Sequence, residues 1–145
     1  MYRRDFLLQN ELFFKVGIYF EDMQMLPRVF LAAQKIACMD GVFYHYVVRE
    51  NSIMTSQKDK KKKNNSIQNL REWKEQFDHV QDAELRKILY GMLVKCYLHE
   101  CRVYGITKWE IDGVDFKFVV NNSLNFKEKI KGLLFALLPK CYVRV

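Results

Sequence analysis

Apolar residues recur along this chain in two rhythms, one helical and one closer to that of a strand. Phe6 and Leu7, behind the charged Arg3, Arg4 and Asp5, pattern as a short helix over residues 2–10 that breaks at Gln9-Asn10-Glu11. Leu12-Phe13-Phe14 then leads to a turn at Gly17. Glu21 and Asp22 head a second pattern, in which Met25, Val29, Ala32 and Ala33 share one helical face. This spacing predicts a helix from about Asp22 to Gln34, with acidic residues where the helix dipole favours them and Pro27 tolerated if it falls in the first turn. The rhythm then changes. Lys35 to Met39 reads as a short strand, Asp40-Gly41 as a turn, and Val42 to Val48 as a strand rich in aromatic and β-branched residues. A small β ribbon is therefore expected over about residues 35–48, and a two-stranded ribbon needs a sheet or helix beside it.

The helical period returns at Ile67, Leu70, Trp73, Phe77 and Val80. A longer run follows from Asp82 to about Tyr104, carried by Leu85, Ile88, Leu89, Met92, Leu93, Cys96 and Tyr97, with Asp82 as its cap and Gly105 as its stop. The two runs are predicted to form a helical hairpin. Residues 106–123 fit neither period, and Phe126 to Leu138 resumes a helix that Pro139 ends.

Composition sharpens this outline. The 145 residues allow one domain of ordinary size, and 50% hydrophobic against 28% charged residues is enough to bury a core. Six Gly and two Pro disfavour a chain of many short strands, so helix should dominate. The net charge of +7 is not evenly placed: basic and acidic residues balance over 1–51, and the excess lies beyond. Much of it is Lys58, Lys60, Lys61, Lys62 and Lys63 around Asp59, expected as a solvated Lys-rich flexible loop over residues 57–66, with an anion contact as the alternative. No nucleic-acid module is recognisable and the basic residues gather in that run, so nucleic acid is not an expected partner. Cys38, Cys96, Cys101 and Cys141 lack paired ligand spacing, which argues against structural zinc. The opening residues do not pattern as a secretory signal and no apolar run is long enough to span a bilayer. The expected setting is reducing and cytoplasmic, with free thiols.

Three pieces carry a resemblance: Met1-Tyr2-Arg3-Arg4-Asp5-Phe6-Leu7; Gly17-Ile18-Tyr19-Phe20-Glu21-Asp22; and Phe43-Tyr44-His45-Tyr46-Val47-Val48-Arg49-Glu50-Asn51-Ser52-Ile53. In order and spacing they resemble the acceptor-side half of bacterial family 2 glycosyltransferases of the GT-A fold. The resemblance covers residues 2–56 and implies an α/β class: the C-terminal half of a GT-A fold, mostly helical in this chain, with the small ribbon at 35–48. Residues 1–56 would be the acceptor-side part of the catalytic domain, 57–66 the loop, and 67–145 a helical C-terminal extension. The activity implied is inverting transfer of a sugar from a nucleotide-sugar donor to a hydroxyl of a glycan or lipid-linked acceptor in surface glycan synthesis, aided by divalent Mn or Mg. Asp22 would be the base that takes the acceptor proton, and Glu21 its neighbour or an acceptor-binding group. Tyr44, Tyr46, Arg49 and Ser52 would border the substrate. Beside these roles stand plainer ones: Glu21 and Asp22 as helix caps, the tyrosines as core aromatics, Arg49 in a structural ion pair.

The departures from the family matter as much. Family members begin with a hydrophobic strand and an Asn-containing loop and reach an Asp-x-Asp element that holds the metal; this sequence has no D-x-D and no glycine-rich phosphate loop. Metal and nucleotide ligands are therefore not expected in this chain, which reads as a fragment inactive as a transferase by itself. The Lys-rich apolar stretch 126–142 suggests peripheral contact with a membrane, at its inner face. The alternative function is a non-catalytic basic module that binds a membrane surface or another anionic partner.

Overall fold

The computed structural model describes residues 2–48, 50, 52 and 59–144. Helix accounts for 61% of the described residues and none of them is in a strand, so the fold is all-helical and the α/β expectation with a GT-A sheet is corrected. The helices are α1 (Arg4–Gln9), α2 (Glu21–Ala32), α3 (Lys60–Asp78), α4 (Ala83–Tyr104), α5 (Phe116–Asn122), α6 (Phe126–Leu137) and α7 (Pro139–Tyr142).

The body is the antiparallel pair α3–α4, with α5, α6 and α7 folded back against it. Each of the two long helices starts on an aspartate. Asp59 accepts a hydrogen bond from the Lys62 amide at 2.7 Å, and Asp82 accepts one from the Leu85 amide at 2.9 Å. Gly105, at φ 65°, ends α4 in the left-handed conformation that glycine adopts without strain. The core lies between them. Leu70, Leu93, Val94 and Tyr97 are fully buried, and Trp109 and Phe135 meet edge-on at 4.6 Å beside Tyr97. The buried hydroxyls are satisfied: Tyr142 donates to the Leu98 carbonyl at 2.8 Å, and the Tyr97 hydroxyl accepts from the Glu110 amide at 2.8 Å. α6 comes close because Gly132 is bare; a Cβ there would collide with the Val119 side chain.

Two expectations fail here. Lys60, Lys61, Lys62 and Lys63 are not looped but form the start of α3. Lys63 pairs with Glu110 at 2.8 Å, Lys61 and Lys62 lie over the Tyr19 ring, and Lys62 is buried. Lys61, Lys62 and Lys63 thus engage distant parts of the same chain. The ribbon is absent too: residues 33–48 run without helix or strand, and Phe43, Tyr44 and Val47 stay exposed. A strand takes its backbone hydrogen bonds from a neighbour, and none lies alongside among the described residues.

α1 and α2 form a smaller layer around Leu12, Met25 and Val29. Arg28 ties the link between them by donating to the carbonyls of Glu11 and Phe13 at 2.8 and 3.1 Å. None of the helices among the described residues is long and apolar enough to cross a membrane.

Candidate functional site

α2 begins one residue earlier than its apolar pattern suggests, so Glu21 and Asp22 are its first two helical residues and not its cap. The cap position belongs to Phe20, whose side chain makes no capping bond and whose backbone is left-handed at φ 61°, ψ 42°. For a residue with a Cβ this conformation costs on the order of 1 kcal/mol and persists only where the surroundings impose it. α3 imposes it. Asn65 Oδ1 accepts from the Tyr19 amide at 2.9 Å, and Asn69 Nδ2 donates to the Phe20 carbonyl at 2.9 Å.

A third grip follows from Pro27, which falls in the second turn of α2 and not in the first. Proline has no amide hydrogen, so the Met23 carbonyl four residues back loses its helical partner. Trp73 Nε1 donates to that carbonyl at 2.8 Å. A fourth comes from Glu72, which accepts from Gln24 Nε2 at 2.9 Å and pairs with Lys15 at 2.7 Å. Burial pushes the Glu72 carboxyl up, but hydrogen bonds from Lys15, Gln24 and Gln68 outweigh it and hold the group below its usual range. Asn65, Asn69, Glu72 and Trp73 follow the turns of one face of α3, and together they fix the first turn of α2.

The two carboxylates at this start have few partners. Glu21 makes no hydrogen bond among the described residues. Asp22 is exposed, and its Oδ1 accepts only from the adjacent Met23 amide at 2.8 Å. This is one local bond at a helix start, in which Oδ2 takes no part. Chemically, the arrangement offers a solvent-facing carboxylate on a backbone held at three points by one face of α3.

The remaining expected site residues are not gathered around it. Tyr44 and Tyr46 lie in the irregular stretch, exposed, with no hydrogen bond, ion pair or ring contact to Glu21, Asp22 or the body. The core-aromatic reading of these rings is thereby corrected. Ser52 is half-buried. Arg49 lies outside the described residues.

What the sequence pattern did not disclose is a cleft of about 390 Å³ that begins at Met23, next to Asp22, and runs between α4 and α6. Trp73, Leu98 and Tyr142 give it apolar lining, while Lys95 and Arg102 of α4 and Lys131 of α6 supply cations and His99 of α4 adds an imidazole. Residues 95, 99 and 102 share one helical face, a spacing that was available to find them; Lys131 is distant in sequence and was not. Two acids also line the cleft, but both have structural work. Glu100 accepts from Ser66 Oγ at 2.6 Å, and Glu128 accepts from the Leu124 amide at 3.0 Å. Burial, followed by the neighbouring Glu100, raises the Cys96 thiol, and burial pushes the Tyr142 hydroxyl up to about 12. Both shifts favour the neutral, weakly nucleophilic forms of these groups.

Among the described residues, no three His, Cys, Asp or Glu side chains come together so as to hold a metal ion. No family model matches the chain, and neither a curated protein nor a solved structure matches it.

Proposed function

We propose that this chain is the acceptor-side part of an inverting glycosyltransferase, with Asp22 as the general base. The observation that supports the reading most is the exposed Asp22 carboxylate, with Oδ2 free of any partner among the described residues, two residues beyond a left-handed Phe20 that α3 holds in place through Asn65 and Asn69. A strained backbone kept rigid beside an exposed acid is an arrangement that a helix cap alone does not require. In the proposed reaction the acceptor hydroxyl oxygen attacks the anomeric carbon of the donor sugar. Its proton passes to the Asp22 carboxylate, the bond from that carbon to the nucleotide diphosphate breaks, and the configuration inverts. Glu21 orients the acceptor, and the cleft that Met23 helps to line receives the remainder of it.

The sequence holds no D-x-D, so this reading assigns the nucleotide-sugar donor and its Mn or Mg to residues outside this chain. It does not carry the sheet of the resembled family with it. The location that accompanies it is the cytoplasm, at the inner face of the membrane. The test is sugar transfer from a panel of nucleotide sugars to hydroxyl acceptors, by this chain and by a longer protein joining it to a nucleotide-binding half. Turnover only by the longer protein, reduced about 10²–10⁴-fold by Asp22→Asn with an unchanged circular dichroism spectrum, is the expected result. Turnover indifferent to Asp22→Asn would remove the base assignment, and transfer by neither protein would remove the transferase reading.

A further inference from the structure

One face of α6 has no counterpart in the fold. Glu128, Gly132 and Phe135 point into the body, and on the opposite side Phe126, Ile130, Leu133 and Leu137 stand at four-, three- and four-residue spacing. They are 76, 50, 45 and 69% exposed, so four large apolar side chains form one unburied stripe along the whole helix. Such a stripe is costly in water unless something covers it.

The charges on this helix indicate what covers it. Lys127 flanks the stripe on one side and Lys129 on the other, a placement that follows from helical register, while Lys131 is turned further round toward the body. The one acid of α6, Glu128, is turned inward and holds the Leu124 amide, so the charged groups left at the surface of α6 are all lysines. Lys131 also lines the cleft beside Lys95 and Arg102, which extends the positive border onto α4. Lysines whose stems lie along an apolar stripe, with ammonium groups at its edges, match a surface that is apolar within and anionic at its rim.

We infer that α6 docks the protein onto an anionic bilayer, lying in the interface with Phe126, Ile130, Leu133 and Leu137 among the acyl chains and Lys127 and Lys129 on lipid phosphates. α6 has 12 residues, too few to span a bilayer, so the protein rests on the membrane. Of the lysine run that the sequence offered for an anion contact, Lys61 and Lys62 lie over Tyr19 and Lys63 pairs with Glu110 instead. The inference does not depend on the transferase reading, because it concerns the opposite face of α6 from the core and uses no residue of the α2 start.

The test is co-sedimentation of the full chain with phosphatidylcholine vesicles, with and without phosphatidylglycerol, at low and high salt. Binding at least about tenfold stronger to the anionic vesicles, and weakened by salt, is expected. Ile130→Ser with Leu137→Ser should weaken it a further tenfold or so, whereas Val47→Ser, an exposed apolar residue elsewhere, should not. A Phe126→Trp variant provides a readout independent of those substitutions: its fluorescence should shift to the blue on anionic vesicles and be quenched by brominated acyl chains. Equal binding to neutral vesicles, no effect of the double substitution, or an unquenched tryptophan would each overturn the inference. So would a stable dimer in analytical ultracentrifugation that Ile130→Ser with Leu137→Ser dissociates, since the stripe would then face a second copy.

Discussion

Residues 85–104 and residues 35–48 are alike in being rich in large apolar side chains, yet one segment is at the centre of the fold and the other lies outside it. In α4, Leu93, Val94, Tyr97 and Leu98 are almost wholly buried; in the earlier segment Val42, Phe43, Tyr44 and Val47 are each more than two-thirds exposed. Hydrophobicity does not separate them. The helix closes its own backbone hydrogen bonds within the segment, so α3 needs only to supply an apolar face. A strand-like segment must borrow its backbone partners from another chain segment, and none lies beside it among the described residues. Burial therefore follows from which segment can satisfy its backbone first.

Core truncation tests this contrast with the largest effect. Tyr97→Ala or Phe77→Ala should cost about 3–5 kcal/mol in urea unfolding, whereas Phe43→Ala should stay within about 0.5 kcal/mol. A comparable loss from Phe43→Ala would mean that the 35–48 segment is packed after all. Next in size is Gly132→Ala, which forces a methyl group toward Val119 and should cost about 1–3 kcal/mol, with α5 and α6 loosened first.

Trp73→Phe keeps most of the ring but leaves the Met23 carbonyl without a donor. About 1–3 kcal/mol should be lost, and amide protection over α2 should fall while α4 is unaffected. If α2 keeps its protection, Pro27 is accommodated by something other than the indole.

The smallest effect concerns acid. Glu72 and Asp78 have folded carboxyls held below the ordinary values of 4.5 and 3.8: burial opposes this in both, and hydrogen bonds from Lys15 and Gln24 in one, and from Lys74 and Tyr90 in the other, prevail. A carboxyl depressed by folding contributes stability that is complete above its unfolded value and is lost as pH falls through that value toward the folded one. Tm should therefore decline as pH falls through about 4, and Glu72→Gln should flatten part of the decline while lowering Tm at neutral pH. An unchanged slope in Glu72→Gln would show that the Lys15–Glu72–Gln24 cluster is not maintained in solution.

The sequence was legible wherever the cause of structure is local. Asp82 and Gly105 delimit α4 because a cap and a left-handed stop act within one turn of the helix they bound. Glu21 and Asp22 could be placed at a helix start for the same reason. The start of α3 was misread because its lysines are held by Tyr19, more than forty residues earlier, and by Glu110, 47 residues later. Residues 106–123 fit no period because Trp109 is positioned by Tyr97 and Phe135, not by its neighbours in sequence. The 35–48 ribbon was anticipated from β-branched and aromatic residues, which favour a strand only where a partner exists. At the site, the carboxylates were visible but their grip was not: nothing in the spacing announces that Trp73 takes up the carbonyl freed by Pro27. The cleft escaped because its cations come from two helices.

Native-state hydrogen exchange of the whole chain tests the central contrast most directly. Amides of α3 and α4 should exchange only with global unfolding, those of α2 should be protected through the α3 contacts, and those of residues 34–48 should exchange at nearly the rate of an unfolded peptide. Slow exchange in alternate amides across residues 42–48 would mean a paired strand and would contradict the all-helical account.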